Sequence, residues 1–364
     1  MITIPENLKK EFEVMFKAAT DASFVCKTLR QRLGDLNVMT KSDDSPVTRK
    51  FNVNFNSPLL TLLVADISAQ IIINHRLESA FENVVVIGEE DSTEISESLF
   101  IKIKELLSEF EISKELDLSS KEAVEKILRS NEVDESVKRY WTVDPIDGTK
   151  GFIRGDQYSV CIALIDRETE LPLISALGCP NLTVDGEEEK GMLMISVASV
   201  GNFVCKLGQG IEELKKLQKF ALQTDLSKAI FTGAVVSSHT NPLEIDAIKS
   251  NFCNEMPVVR MDSQCKYGLL ALDRAHVYYR RHASKDPTVR RDWQCDYIEA
   301  IWDNAPGYLF VKEAGGLVTD FEGNDLRFPP QKHFKVVGGI LASMLVPELH
   351  AQVIKIVQDR NPIQ

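Results

Sequence analysis

The chain opens on a helical rhythm. Leu8, Phe12, Met15, Phe16 and Ala19 recur at i, i+4, i+7, i+8 and i+11, which makes one apolar helix face expected to run to about Leu33 and stop at Gly34. A second helical pattern begins at Val64 and lasts to about Phe81, and the unbroken apolar run Val84-Val85-Val86-Ile87 that follows suits a buried strand. Residues 92–138 are acidic and serine-rich around a single stripe of Phe100, Ile103, Leu106 and Leu107, so a mobile surface excursion with a solvated charged face is expected. Strand patterns then dominate: 141–143, then 158–165 and 173–177 around a turn at 166–170, then 192–197 and 201–207 ahead of Gly208-Gln209-Gly210. In the second half, strand candidates at 230–237 and 340–344 alternate with helix candidates at 243–252, a helix ending near Glu313-Ala314-Gly315-Gly316, and 347–357. No internal repeat or low-complexity tract interrupts this order, and the mixture of strands and helices predicts an α/β protein.

Composition narrows the function classes. The 364 residues are 44% hydrophobic and 26% charged, enough for one large domain or two lobes with real cores. A net charge of -12 argues against a nucleic-acid polymer as partner, so any anionic ligand must be met by local Lys, Arg or metal. Seven cysteines without a C-x-x-C pair fit reduced core thiols better than a disulfide framework or a zinc site. No run of about 18 consecutive apolar residues suggests a membrane span, and the N-terminal residues have neither signal-peptide nor transit-peptide character. A cytoplasmic protein is the expectation.

Chemistry concentrates where strands end. Trp141-Thr142-Val143 runs into Asp144-Pro145-Ile146-Asp147-Gly148-Thr149, where Pro and Gly are expected to end the strand. Asp144 and Asp147, three apart across a Pro-fixed turn, can converge with the Ile146 carbonyl on a hard cation such as Mg2+, and Thr149 adds a hydroxyl that can orient water. The competing reading is an Asx-type turn satisfying only its own backbone. The strand at 84–87 likewise ends on Gly88-Glu89-Glu90-Asp91, an acid cluster that is costly without a positive partner. A further acid, Asp303, precedes the helix that ends at Gly315; taken alone it reads as an N-cap.

In this order, GEED, WTVDPIDGTKGF and WD before an EAGG helix end resemble the Mg2+-dependent, lithium-sensitive phosphomonoesterase family that includes inositol monophosphatase and fructose-1,6-bisphosphatase. DPIDGTKGFIRGDQYSVCIALI, GCPNL and MDSQCKYGLLAL are similar to the branch that acts on nucleotide bisphosphates, and the likeness extends from about Lys9 to about Val353. The resemblance implies a layered αβαβα sandwich of the sugar-phosphatase type, with a larger N-terminal lobe over 1–178 carrying the metals and a smaller lobe over 179–364 carrying nucleotide contacts. It implies two or three Mg2+ ions held by Glu89, Asp144, Asp147, Asp303 and the Ile146 carbonyl, with Glu90 in support. Thr149 and Asp66 would position and deprotonate the attacking water. Gly148, Thr149, His239, Ser263, Lys266, Arg280 and Asp303 would contact a small nucleotide bisphosphate, hydrolysed to AMP and phosphate. For Lys266 and Arg280 the alternative is a solvated surface charge, and for His239 a structural or surface histidine.

Four departures from the family pattern keep other readings open. Residues 49–63 look like an insertion that either loops out or displaces Asp66, and the loop after Arg280, about 281–292, is longer than in the family. Val236 stands where the family's first histidine of an HSSH-like motif would be, and Asn304-Ala305-Pro306-Gly307 replaces His-Ala-Ala-Gly. Besides nucleotide hydrolysis, the alternatives are an inositol phosphate phosphatase and a relative that binds nucleotide without turning it over.

Overall fold

The computed structural model describes residues 3–42, 57–90, 95–129, 133–186, 188–235, 248–250, 257–280 and 296–359, with the side chains of 34–42 and 296–297 left aside. Helices α1 (Lys9–Ser42) and α2 (Pro58–Ala80) pair with each other and lie against a sheet that begins with β1 (Val86–Gly88). Then come α3 (Glu97–Leu107), α4 (Lys121–Leu128), β2 (Arg139–Asp147), α5 (Thr149–Arg154), β3 (Ser159–Asp166), β4 (Leu171–Thr183), β5 (Lys190–Val197), β6 (Gly201–Lys206) and β7 (Lys215–Lys216). These seven strands form one sheet in the order β1-β2-β3-β4-β5-β6-β7, parallel only between β1 and β2. The boundary expected at 178 falls inside β4, both of whose neighbours belong to this sheet.

The remaining elements are β8 (Phe231–Gly233), β9 (Val258–Arg260), α6 (Cys265–Ala271), β10 (Val277–Arg280), β11 (Asp296–Ala300), α7 (Ala305–Ala314), β12 (Leu317–Asp320), β13 (His333–Val337), β14 (Ile340–Ser343) and α8 (Pro347–Asp359). Five of the strands form a second sheet ordered β12-β14-β10-β8-β9, and β11 pairs with β13.

Period-2 alternation divides the interior into three cores. On β2 and β3, Trp141, Val143, Val160, Ile162 and Leu164 face α1 and α2, while Tyr140, Cys161, Ala163 and Ile165 face the opposite layer with α6 and α7. On β10, Tyr278 faces that same middle layer, and Val277 and Tyr279 pack with Val353, Ile354 and Val357 of α8. Helices, sheet, helices, sheet and helix follow one another, which is the layered αβαβα sandwich. The five cysteines among the described residues are buried and unpaired, as core filler should be.

Several local expectations need correction. Gly34 does not end the first helix: α1 continues to Ser42, since a single internal glycine costs only about 1 kcal/mol. Helix α2 starts at Pro58, not Val64, so 58–63 extend the helix instead of looping out. Pro58 occupies a first-turn position where a missing N–H costs nothing, and Thr61 donates through both its N–H and its hydroxyl to the Ser57 carbonyl, each at 3.1 Å. Residues 49–56 lie outside the described residues. By length and composition α2 could cross a membrane, but most of it is buried as a core helix.

Of residues 92–138, expected as a mobile excursion, the described stretch 95–129 packs instead. Phe100, Ile103, Leu106 and Leu107 of α3 and Val124 and Leu128 of α4 join the first core, because the stripe has α2 to cover it. Pro145 does not stop its strand either: β2 runs to Asp147 through a register shift between Asp144 and Asp147, the kind of bulge that tolerates proline. The strand candidate at 230–237 shortens to β8, and 243–252 falls mostly outside the described residues.

Candidate active site

The parallel pairing of β1 and β2 sets Val86 opposite Trp141 and Gly88 opposite Val143. Past the last pair, the Glu89 N–H donates to the Val143 carbonyl at 3.1 Å, which carries Glu89 alongside Asp144. In a regular strand, residues three apart face opposite sides. The bulge after Asp144 resets that alternation, so both Asp144 and Asp147 line one cavity of about 250 Å³. Gly148 then turns the chain into α5 with φ 89°, and a Cβ there would meet the Ser263 Cβ at 2.9 Å, so glycine is required by both conformation and contact. Thr149 is the first residue of α5 and lines the cavity.

From the other half of the chain, Ser263, Lys266, Arg280 and Asp303 complete the wall. Oxygens of Asp144, Asp147 and Asp303 lie within 4.8 Å of one another. Glu89 and Ile146 line the same cavity. Asp66 does not line it but is buried behind the wall on α2, where its carboxylate accepts from the Ile146 N–H and feels Glu90 and Glu89. One turn along the helix, Gln70 accepts from the Glu90 N–H at 3.1 Å and donates to the Glu90 carbonyl. The extension of α2 has therefore not carried Asp66 away from the acid loops. His239, Val236 and 281–292 lie outside the described residues.

The basic residues are placed differently from a surface charge. Lys266 is buried; its Nζ donates to the Ser263 carbonyl at 2.7 Å and the Met261 carbonyl at 3.4 Å, 5.2 Å from the Tyr278 ring centroid. Burial lowers its pKa, against the pull of Asp147. Arg280 forks onto two carboxylates, Nε to Glu299 at 3.0 Å and Nη2 to Asp303 at 2.7 Å. Ser263 has φ 69°, and its Oγ accepts from the Cys265 N–H at 3.1 Å. Asp303 is not the N-cap of α7; Asn304 holds that place, accepting from the Tyr267 hydroxyl at 3.0 Å and donating to Glu299 at 3.4 Å.

Sequence reasoning missed Lys150, Ala234, Asp262 and Tyr278 on the wall, and behind it Glu299 and Gln264, which bond to wall residues. On β11, Ile298 is 67% exposed while Glu299 is 1% exposed, the reverse of the polarity that alternation predicts, so no pattern could have marked Glu299. Gln264 lies within the SQCKYG segment but carries no charge to draw attention.

Electrostatics decide what the acid cluster suits. Burial pushes Asp66 and Asp144 well above the usual carboxylate range, with neighbouring acids adding to it. Burial, opposed by a hydrogen bond with Asp144 and reinforced by Asp303, Glu90 and Asp147, lifts Glu89 to about 7. Burial and Asp303 lift Asp147 to about 6, against Lys266, Arg280 and the Gln264 N–H. The Asp66 Oδ1 and Asp144 Oδ1 atoms are buried with no hydrogen-bond partner. Clustered, repelling, all-oxygen and partly orphaned carboxylates fit a hard divalent cation.

The sign of the pH effect follows. Glu89 has a folded pKa of about 7 against an ordinary 4.5, so between those values the native state holds a proton that the unfolded chain has released, and stability falls as pH rises through the window. In the EDTA-treated protein, the melting temperature should drop from pH 5 to pH 8 by more in wild type than in Glu89→Gln. Parallel profiles for the two proteins would remove Glu89 from the account.

Comparison with known proteins agrees with this arrangement. A family model described as the inositol monophosphatase family matches residues 11–361. A 3'(2'),5'-bisphosphate nucleotidase from Dictyostelium discoideum is 34% identical over 341 residues, covering 92% of each chain. The protein of the same name from Schizosaccharomyces pombe is 33% identical, covering 84% of this chain and 82% of that one. Among solved structures, CysQ from Bacteroides thetaiotaomicron, a bacterial member of the inositol monophosphatase family, aligns with TM-score 0.55 at 20% identity, covering 91% of this chain and 97% of that one. An inositol monophosphatase from Anabaena (Nostoc) aligns with TM-score 0.57 at 15% identity and 97% coverage of both; at these identities the likeness is one of fold. The match over nearly the whole chain, with the acid-lined cavity at the ends of β1 and β2, places this chain in the inositol monophosphatase family.

Proposed function

We propose that the chain is a Mg2+-dependent phosphomonoesterase that hydrolyses 3'-phosphoadenosine 5'-phosphate to AMP and phosphate, and that accepts 3'-phosphoadenylyl sulfate by the same chemistry. The observation that carries this reading is the 34% identity, over 92% of the chain, to a relative named for that activity. The cavity supports it by combining an acid cluster with three basic residues, Lys150, Lys266 and Arg280, in a chain of net charge -12.

Glu89, Asp144, Asp147, Asp303 and the Ile146 carbonyl would hold two or three Mg2+ ions, which when bound supply Lewis-acid polarisation of the phosphoryl group and make nearby water more acidic. The Thr149 hydroxyl on the wall would orient the attacking water in line with the leaving oxygen. Asp66, behind Ile146 with its pKa raised by burial, would take the water's proton through Thr149. Lys266 and Arg280 would set positive charge against the phosphate, with Ser263 and the Gly148-Thr149 turn beside them and His239 as a further nucleotide contact. Residues 1–178 would thus supply most of the metal-binding acids and the Gly148-Thr149 turn, and residues 179–364 most of the nucleotide contacts together with Asp303.

Phosphate release from 3'-phosphoadenosine 5'-phosphate and from inositol 1-phosphate, each with Mg2+, tests the substrate. The nucleotide should be preferred by at least about 10²-fold in kcat/KM, because groups built to pair with a base and a second phosphate are left unpaired by the cyclitol. Equal rates, or a preference for the inositol phosphate, would discard the nucleotide reading.

A further inference from the structure

The carboxylates of Asp147 and Asp303 come from the end of a bulged strand in the first sheet and from the residue before the α7 N-cap, yet their oxygens lie within 4.8 Å of each other. Two repelling acids from distant elements need ties to stay that close, and Arg280 supplies one to Asp303 at 2.7 Å. Gln264 bonds to both sides. Its backbone N–H donates to Asp147 Oδ2. Its side-chain Nε2 donates to the carbonyl of Trp302, immediately before Asp303, at 2.7 Å, and its Oε1 accepts from the Gly307 N–H at 2.8 Å.

Nothing in its own helix needs this amide. Gln264 is the N-cap of α6, but its side chain makes no capping bond there; both polar atoms reach across to the α7 start. The residue is 2% exposed, so these bonds cannot be exchanged for water. The α6 and α7 backbones are already close, since a Cβ on Gly307 would meet the Tyr267 Cγ at 2.4 Å. A neutral amide also suits the place chemically. It supplies one donor and one acceptor without adding an anion to the acid cluster or a cation that would compete for its oxygens.

The geometry points to Gln264 as a positioning residue that sets the separation of Asp147 and Asp303 and, through it, the divalent-cation affinity of the site. The inference rests on the cation reading proposed above. Groups that orient metal ligands through hydrogen bonds typically change metal affinity by about 10–100-fold when removed, whereas an ordinary core glutamine would change stability alone.

Mn2+ binding to the full chain, followed by electron paramagnetic resonance without nucleotide, separates these cases. Gln264→Met keeps the volume and removes both side-chain bonds. It should bind Mn2+ about 10–100-fold more weakly than wild type, and saturating metal should restore kcat with an unchanged KM for the nucleotide. A folded Gln264→Met with wild-type Mn2+ affinity overturns the proposal, as does a raised KM for nucleotide with unchanged Mn2+ affinity. Should that variant fail to fold, Gln264→Glu keeps the acceptor for Gly307 and loses the donor to Trp302; the same weakening supports the proposal and wild-type affinity overturns it. Equal Mn2+ affinity in wild type and Asp147→Asn would overturn the cation site itself, and this proposal with it.

Discussion

Asp147→Asn should lower phosphate release from 3'-phosphoadenosine 5'-phosphate by about 10³-fold, the scale on which one pre-organised electrostatic group acts in a water-poor site. The substitution keeps the shape and the acceptor for the Gln264 N–H but removes a full negative charge from the cluster shared with Asp144 and Asp303. For the same reason the metal-free variant should melt no lower than wild type. Asp147 has a pKa raised to about 6 by burial and by Asp303, so its charge opposes folding when no cation is present. Lithium, an inhibitor implied by the family, should suppress the wild-type turnover that the variant lacks. Full turnover in Asp147→Asn would sink the metal-ligand assignment.

The second large effect is expected at Asp66. Asp66→Asn should lower kcat by about 10²–10⁴-fold, the range of a general base, while Mn2+ affinity stays close to wild type because Asp66 lies behind the cavity wall. In EDTA the variant should melt higher, since a buried carboxyl with an unpaired Oδ1 is replaced by a neutral amide. This variant also separates a working hydrolase from a nucleotide-binding relative without turnover. Wild type that binds Mn2+ and nucleotide but releases no phosphate would favour the inactive relative, and the Asp66 variant would then change nothing.

Much of the candidate site is legible in the sequence. Short motifs carry it: the acids of GEED and DPIDGT follow strand-forming runs directly, so local sequence alone places Glu89, Asp144 and Asp147 at strand ends. The five-layer fold was legible only through resemblance, because periodicity shows that a strand alternates but not which layer each face meets. The stripe on 97–107 was visible as a stripe. That α2 covers it, making a packed layer of what reads as an excursion, depends on a neighbour more than one element away.

Local rules failed where tertiary contacts outweighed them. Pro145 and Gly34 read as breakers, yet a bulge accommodates the first within β2 and α1 continues through the second. Charge read from sequence also left protein partners out: Arg280 is forked onto Glu299 and Asp303, and Lys266 donates to backbone carbonyls, neither of which a sequence pattern shows. The sequence by itself determined that Glu89, Asp144 and Asp147 follow strand-forming runs and roughly where β1 to β6 lie, since both depend on neighbours within a few positions. Only the tertiary structure decided that Asp303 closes on Asp144 and Asp147, that Asp66 stays behind Ile146, and that Gln264 and Glu299 hold the far wall. Those distances are set by how β2, α2, α6 and α7 pack, and packing is a property of surfaces that meet from distant parts of the chain.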